Sequence, residues 1–211
     1  MVDLADPLVR RRGGRRLSFD REQALEAALR LFWQRGYEGT SVGDLVAEMG
    51  ITPPSLYAAF GSKEELYGEA VGRYGDTHAG FLLAAIREEP TAYLAVRRVL
   101  LESARFYSDA DTPVGCMVAT AAQYCGPGHT AVAQLLAGKR AAIVDAIEDR
   151  IGRDVREGGI ADVDARALAS FYASVLQGLS VQARDGADLA ILNGVVEIAM
   201  RAWPHPDAFD A

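Results

Sequence analysis

Cysteine is scarce in this chain of 211 residues, which contains only Cys116 and Cys125. If both lay on one helix, their spacing would separate them by about 13 Å along the axis, and a disulfide cannot span that distance. Two free thiols are typical of a reducing compartment. No pair of cysteines or histidines has the spacing of a metal site, and no cysteine–histidine pair has the spacing of a catalytic centre.

Long hydrophobic runs and glycine-rich phosphate loops are also lacking. The N-terminus has no apolar signal core, and the longest uncharged helical run, residues 167–183, is shorter than a membrane span. The "GPG" of residues 126–128 has neither the lysine nor the strand context of a phosphate loop. We therefore expect a cytoplasmic protein that is not an enzyme, needs no cofactor or metal, and does not enter a membrane.

Positive charge is in deficit, with 22 basic against 29 acidic side chains and a formal net charge of -7. This balance excludes a uniformly basic nucleic-acid binder. It still allows a local basic patch, because binding to phosphates depends on the charges at the contact. Half of the residues are hydrophobic, so a chain of this length can bury a core.

The hydrophobic pattern has helical spacing almost throughout, and no stretch alternates like a half-buried strand. This pattern predicts an all-α protein with three compact N-terminal helices, a connecting helix and then a helical bundle. Ser41 and Asp44 predict a capping box that opens the second helix. The third helix is expected over about residues 53–60, and the fourth from residue 62 toward residue 88.

The second and third helices are joined only by "GIT", residues 50–52. A short glycine-containing turn between two short helices is typical of a helix-turn-helix, whose second helix presents its N-terminal residues to bases in the major groove. Pro53 and Pro54 are compatible with a helix only in its first turn. Thr52 and Ser55 can reach bases or phosphates. The alternative is a short connector helix packed into a core.

Residues 18–67 resemble the TetR family of transcriptional repressors. The resemblance rests on "LFWQRGYEGTSVGDLV" and "GITPPSLYAAFGSKEELY", which match the end of helix one through the start of helix four. It implies that Thr40, Ser41, Tyr57 and Lys63 contact phosphates of a double-stranded operator, and that Thr52, Pro53, Pro54 and Ser55 face the bases. Leu56 and Phe60 are expected to pack in the core.

One departure from the family pattern concerns the recognition helix, which offers no arginine, lysine, asparagine or glutamine for bidentate base reading. We therefore expect specificity to depend on thymine methyls, groove shape and the basic arm "RRRGGRR". Arg11, Arg12 and Arg15 of this arm are predicted to follow phosphates or enter the minor groove. The alternative for the arm is a solvated tail.

The run of residues 167–183 is apolar or small on nearly every face, and such a helix must be buried on all sides. Together with the last helix it predicts a homodimer built on a four-helix bundle, which is also the arrangement that the resemblance implies. A well-packed monomer core is the alternative. The predicted interface residues are Leu168, Phe171, Val175, Leu179, Ile191, Val195 and Ile198.

Aromatic residues on the middle helices are compatible with either an ordinary core or a ligand cavity. The resemblance favours a cavity for a small effector, and Phe106, Met117 and Tyr124 are the predicted lining residues. No charged cluster indicates an anionic effector, so a mainly apolar one is expected.

The resulting hypothesis is a TetR-type repressor that an effector releases from a palindromic operator. A helical protein-interaction adaptor is the alternative. The predicted layout is a flexible arm (1–17), a helix-turn-helix domain (18–64), an effector-binding and dimerisation domain (65–205) and a tail (206–211).

Overall fold

The computed structural model describes residues 19–119 and 128–204, with only the backbone described at residue 120. Within these residues every regular element is a helix, which confirms the all-α prediction. The helices are α1 (Arg21–Arg35), α2 (Val42–Met49), α3 (Pro53–Phe60), α4 (Lys63–Thr77), α5 (Gly80–Glu88), α6 (Ala92–Tyr107), α7 (Met117–Thr120), α8 (Thr130–Arg156), α9 (Ala165–Arg184) and α10 (Leu189–Met200).

The boundaries of α2, α3 and α4 follow from local chemistry. At the start of α2, the Ser41 hydroxyl accepts from the Asp44 amide at 3.1 Å, while the Asp44 carboxylate accepts from the Ser41 amide at 2.9 Å. A second box of the same kind opens α4. Gly50 adopts the left-handed conformation with φ of 64°, which an L side chain rarely adopts. The predicted bounds of α3 are confirmed.

The prediction of one fourth helix reaching residue 88 is wrong. The helix ends at Thr77, where His78 and Ala79 both donate their amides to the Tyr74 carbonyl, and a separate α5 begins at Gly80. The segment preceding the break contains Gly75, Asp76 and Thr77, all residues of low helix propensity. Two shorter helices therefore form where one was expected.

Helices α1, α2 and α3 share one small core and rest on the first half of α4. We call this unit, residues 19–70, the head. Phe32, Leu45, Leu56 and Phe60 are buried in it, which confirms the prediction for Leu56 and Phe60. Helices α5 to α10 form the bundle, in which α8 packs along α9, and α6 contacts both α9 and α10. None of the helices in the described ranges is long and apolar enough to cross a bilayer.

Helix α9 has an inward and an outward face, although its sequence is apolar on both. Leu179 is fully buried within the chain, because it lies on the inward face with Tyr172 and Leu176. Its prediction as an interface residue is therefore wrong. By contrast, Phe171 on α9 and Ile198 on α10 remain 43% and 68% exposed.

A buried ion pair holds the start of α6 against α8. Arg150 and Asp154 are both buried and bonded to each other. The second carboxylate oxygen of Asp154 accepts from the Ala92 amide at 2.5 Å, and Arg150 also donates to the Glu89 carbonyl at 3.3 Å. One carboxylate thus satisfies both a buried cation and a helix N-terminus.

Removing this carboxylate should destabilise the protein strongly. We expect Asp154→Ala to lower the free energy of unfolding by about 3–5 kcal/mol, because it leaves a buried guanidinium without its counter-ion. Urea unfolding of Asp154→Ala measures the change, with Asp149→Ala, an exposed position on the same helix, as the matched control. Equal midpoints for the two variants would contradict a stabilising pair.

Candidate nucleic-acid interface

The N-terminus of α3 points its polar groups outward. Thr52 caps the helix, with its hydroxyl 2.9 Å from the Ser55 hydroxyl and accepting from the Ser55 amide at 3.4 Å. Thr52, Pro53 and Pro54 are exposed and Ser55 is partly exposed. The first turn of α3 therefore forms a convex edge of small groups that a duplex groove can accommodate.

Tyr57 extends this edge along the helix. Its side chain is 52% exposed, whereas Leu56 and Phe60 of the same helix are buried. The helix is thus anchored through one face and presents the other to solvent. A half-exposed phenol at this place can donate its hydroxyl to a phosphate oxygen.

At the N-terminus of α2, the structure separates two residues that were predicted together. Ser41 is exposed, and its hydroxyl lies 2.5 Å from the Asp44 carboxylate. Thr40 is fully buried and donates its hydroxyl to the Gly36 carbonyl at 2.7 Å. This corrects the expectation for Thr40, since its hydroxyl is used inside the head and is not presented to a phosphate.

Lys63 is the first residue of α4. Its ammonium lies 4.1 Å from the centre of the Tyr37 ring. Burial lowers the pKa of Lys63, against the opposing attraction of Glu38. The side chain is partly exposed, so the ammonium can exchange the ring for a phosphate.

The charge of the head is unfavourable for a polyanion. Residues 19–70 contain four basic and nine acidic side chains. The three arginines among them are paired, Arg21 with Glu69 at 2.7 Å, Arg30 with Glu26 at 3.7 Å and Arg35 with Asp44 at 3.4 Å. Arg11, Arg12 and Arg15 of the predicted arm lie outside the described residues.

A cavity of about 280 Å³ lies between α4, α5, α6, α7, α8 and α9. Its wall is mainly apolar, and the Tyr74 hydroxyl in it donates to the Cys116 sulfur at 3.4 Å. Its lining residues are Val71, Gly72, Tyr74, Gly75, Asp76, Ala79, Leu82, Leu83, Tyr107, Cys116, Val118, Ala119, Lys139, Arg140, Ala142, Ile143, Ala173, Leu176 and Gln177.

Two of the three predicted lining residues, Phe106 and Met117, do not line the cavity. Phe106 packs instead among Trp33, His78 and Phe81, and Met117 is fully buried. Their sequence neighbours Tyr107, Cys116 and Val118 line the cavity instead, so the expectation was one residue out of register. Tyr124 lies outside the described residues. Gly72 and Gly75 of α4 also line the cavity. Glycine is unfavourable in a helix interior, so these two residues could have indicated the cavity from the sequence.

Comparison with known proteins agrees with this geometry. Residues 24–70 match the family model described as bacterial regulatory proteins, tetR family. The transcriptional repressor ComR of Escherichia coli K12 is 33% identical over 199 residues, which cover 93% of this chain and 95% of ComR. The repressor BdcR of the same organism is also 33% identical, covering 90% of this chain and 91% of BdcR.

The chain belongs to the TetR family of bacterial regulatory proteins. Its fold resembles that of a cysteine mutant of the TetR family regulator CifR complexed with 26bp double-strand operator DNA, with a TM-score of 0.87 and 42% identity over 90% of this chain and all of that one. This TetR-family protein is a DNA-binding transcriptional regulator. Among its described residues, no group of three or more histidine, cysteine or acidic side chains could hold a metal ion.

The position of Lys63 in this family regulator leads to a test by salt dependence. Lys63→Gln should weaken operator binding for all sequences alike and reduce the slope of log affinity against log salt by about 1 per protomer, because it removes the phosphate contact predicted for Lys63. Titrations at several salt concentrations measure the slope. Arg87→Gln, which removes one exposed charge from α5, is the control, and equal slopes for the two variants would exclude Lys63 from the contact.

Proposed function

We propose that this regulator is a homodimeric repressor that holds two α3 helices in successive major grooves of a palindromic operator and leaves it when a small, mainly apolar effector binds. The observation that carries the proposal is the two-faced α3. Leu56 and Phe60 are buried in the head while Thr52 to Ser55 and Tyr57 face outward. The proposed contacts are Ser41, Thr52, Pro53, Pro54, Ser55, Tyr57 and Lys63, with Arg11, Arg12 and Arg15 from the arm.

The acidic charge of the head supports a role for the basic arm in attracting DNA phosphates. A head with more than twice as many acids as bases gains little from counterion release, so the arginines that precede it would supply the attraction to phosphates. We also propose a cytoplasmic location, which a role in operator binding supports. The relatives named above are regulators, which is consistent with a chain without catalytic activity of its own.

Selection of binding sites from random duplexes tests the proposed function. A dimeric reader should select an inverted repeat whose half-sites lie about one helical turn, 10–10.5 bp, apart. Purified protein that gives no competable, sequence-dependent shift with the selected pool would contradict the proposal and favour a helical adaptor.

The proposed dimer interface is the outward face of α9 and α10. Phe171, Ile191 and Ile198 are exposed, and Leu168, Val175 and Val195 are partly exposed. Gly178 lies on the same face, and a Cβ added there would meet no atom within 4 Å. Exposed apolar side chains around a small residue are suited to close helix packing with a second copy.

Gly178→Leu should therefore weaken the dimer without disturbing the isolated chain. We expect its dimer dissociation constant to rise at least about tenfold, equivalent to about 1.4 kcal/mol, because the new side chain separates the paired helices. Sedimentation at micromolar concentration measures the association. Gly138→Leu on α8, where an added Cβ also has open space, is the control. A wild-type chain that sediments as a monomer would exclude the interface.

The proposed effector site is the cavity beside α4. This helix begins at Lys63 and lines the cavity with residues 71, 72 and 74–76. An effector releases DNA only if it binds more tightly to the arrangement that does not fit the operator. A displacement of α4 by a molecule in the cavity provides such a difference, since the recognition helix precedes α4 by two residues.

A side chain added inside the cavity should imitate the effector. A Cβ at Gly75 has no atom within 4 Å, so Gly75→Leu extends into the cavity and should weaken operator binding about tenfold, within the usual range of allosteric coupling. Fluorescence anisotropy with the selected duplex measures the affinity. Gly68→Leu, on the same helix and away from the cavity lining, is the control. Unchanged affinity for Gly75→Leu would contradict regulation through this cavity.

A further inference from the structure

Trp33 joins the head to the bundle through two hydrogen bonds. It lies on α1 and is fully buried. Its indole nitrogen donates to the Gly115 carbonyl at 2.9 Å, and its own carbonyl accepts from the Arg184 guanidinium at 2.6 Å. The residue therefore contacts both the segment before α7 and the last residue of α9.

The segment that receives the indole packs closely against α9 on its other side. Gly115 has φ of 82°, and a Cβ there would lie 3.0 Å from the Ser180 carbonyl oxygen and 3.1 Å from the Arg184 side chain. The next amide, that of Cys116, donates to the Ser180 hydroxyl at 2.7 Å. Residues 115 and 116 are thus held between α1 and α9.

The same segment also forms part of the cavity wall. Cys116 and Tyr74 both line the cavity. The Tyr74 ring packs edge to face on the indole of Trp33, with the ring centroids 4.8 Å apart. A molecule in the cavity therefore contacts Tyr74, which packs on Trp33, and Cys116, whose preceding residue Gly115 accepts the indole N–H. Both are buried and closely packed, and such cores have discrete rather than continuous arrangements.

We propose that Trp33 is a positioning residue that couples the cavity to the DNA-binding head. Occupation of the cavity displaces the Gly115 carbonyl and the Tyr74 ring, and the hydrogen-bonded indole carries this displacement to α1. The inference rests on the proposed effector function of the cavity. The alternative is that a displacement of α4 alone reaches the recognition helix, in which case Trp33 would only contribute to the packing of the core.

A double-mutant cycle separates these two routes, because it measures coupling independently of the effect of each single change. Operator affinity is measured by anisotropy for the wild type, Gly75→Leu, Trp33→Phe and the double variant. Phenylalanine keeps an aromatic ring and removes the N–H donor. We expect Gly75→Leu to weaken binding about tenfold in the wild-type background and less than about twofold in the Trp33→Phe background.

The second tryptophan provides the matched control. Trp203 is also buried, and it packs on Tyr93 and Tyr172 at the other end of the bundle. In a Trp203→Phe background the tenfold effect of Gly75→Leu should persist. Loss of the effect in this background as well would mean that any tryptophan replacement removes it, and would overturn the assignment to Trp33.

A second variant keeps the test valid if Trp33→Phe folds poorly. Arg184→Met changes an exposed residue and removes the bond to the Trp33 carbonyl, and it should also reduce the effect of Gly75→Leu. If Gly75→Leu weakens operator binding by the same factor in the wild-type, Trp33→Phe and Arg184→Met backgrounds, the role of Trp33 is overturned while the proposed effector function of the cavity stands. No effect of Gly75→Leu in the wild type would overturn the proposed regulation, and this inference with it.

Discussion

The turn between α2 and α3 is the constraint on which the DNA-binding surface depends. Gly50 takes a left-handed conformation that redirects the chain after only eight residues of α2, and Thr52 then caps α3 with its own hydroxyl. Because Leu56 and Phe60 are buried, the helix can sit on the head in only one rotation. The polar first turn must therefore face solvent, and the absence of long side chains on it lets the backbone approach a duplex closely.

A surface that fits a groove still needs an attraction to phosphates, and the head supplies little of it. Its arginines neutralise its own carboxylates, and Lys63 lies on an aromatic ring. In the proposed function, shape and charge come from different parts of the chain: the fold positions α3, and the arginine-rich segment before α1 would supply positive charge. Such a division would make operator affinity sensitive to salt through the arm and sensitive to sequence through the helix.

Features set by neighbouring residues could be predicted from the sequence, and features set by distant contacts could not. The bounds of α3 follow from its prolines and caps. Thr40 was misjudged because a helix N-terminus does not reveal which hydroxyl turns inward, and Leu179 because α9 is apolar on both faces. The bond from Trp33 to Gly115 joins residues 82 positions apart, and no local pattern encodes it. The cavity lining was missed by one residue on α6 and α7 for the same reason.

Hydrogen–deuterium exchange of the full chain with its selected operator tests the central claim most directly. The account predicts that the selected duplex, compared with a scrambled one, slows amide exchange in residues 41–63, which include α2, α3 and the start of α4. Slower exchange confined to other parts of the chain, with residues 41–63 unchanged, would contradict it.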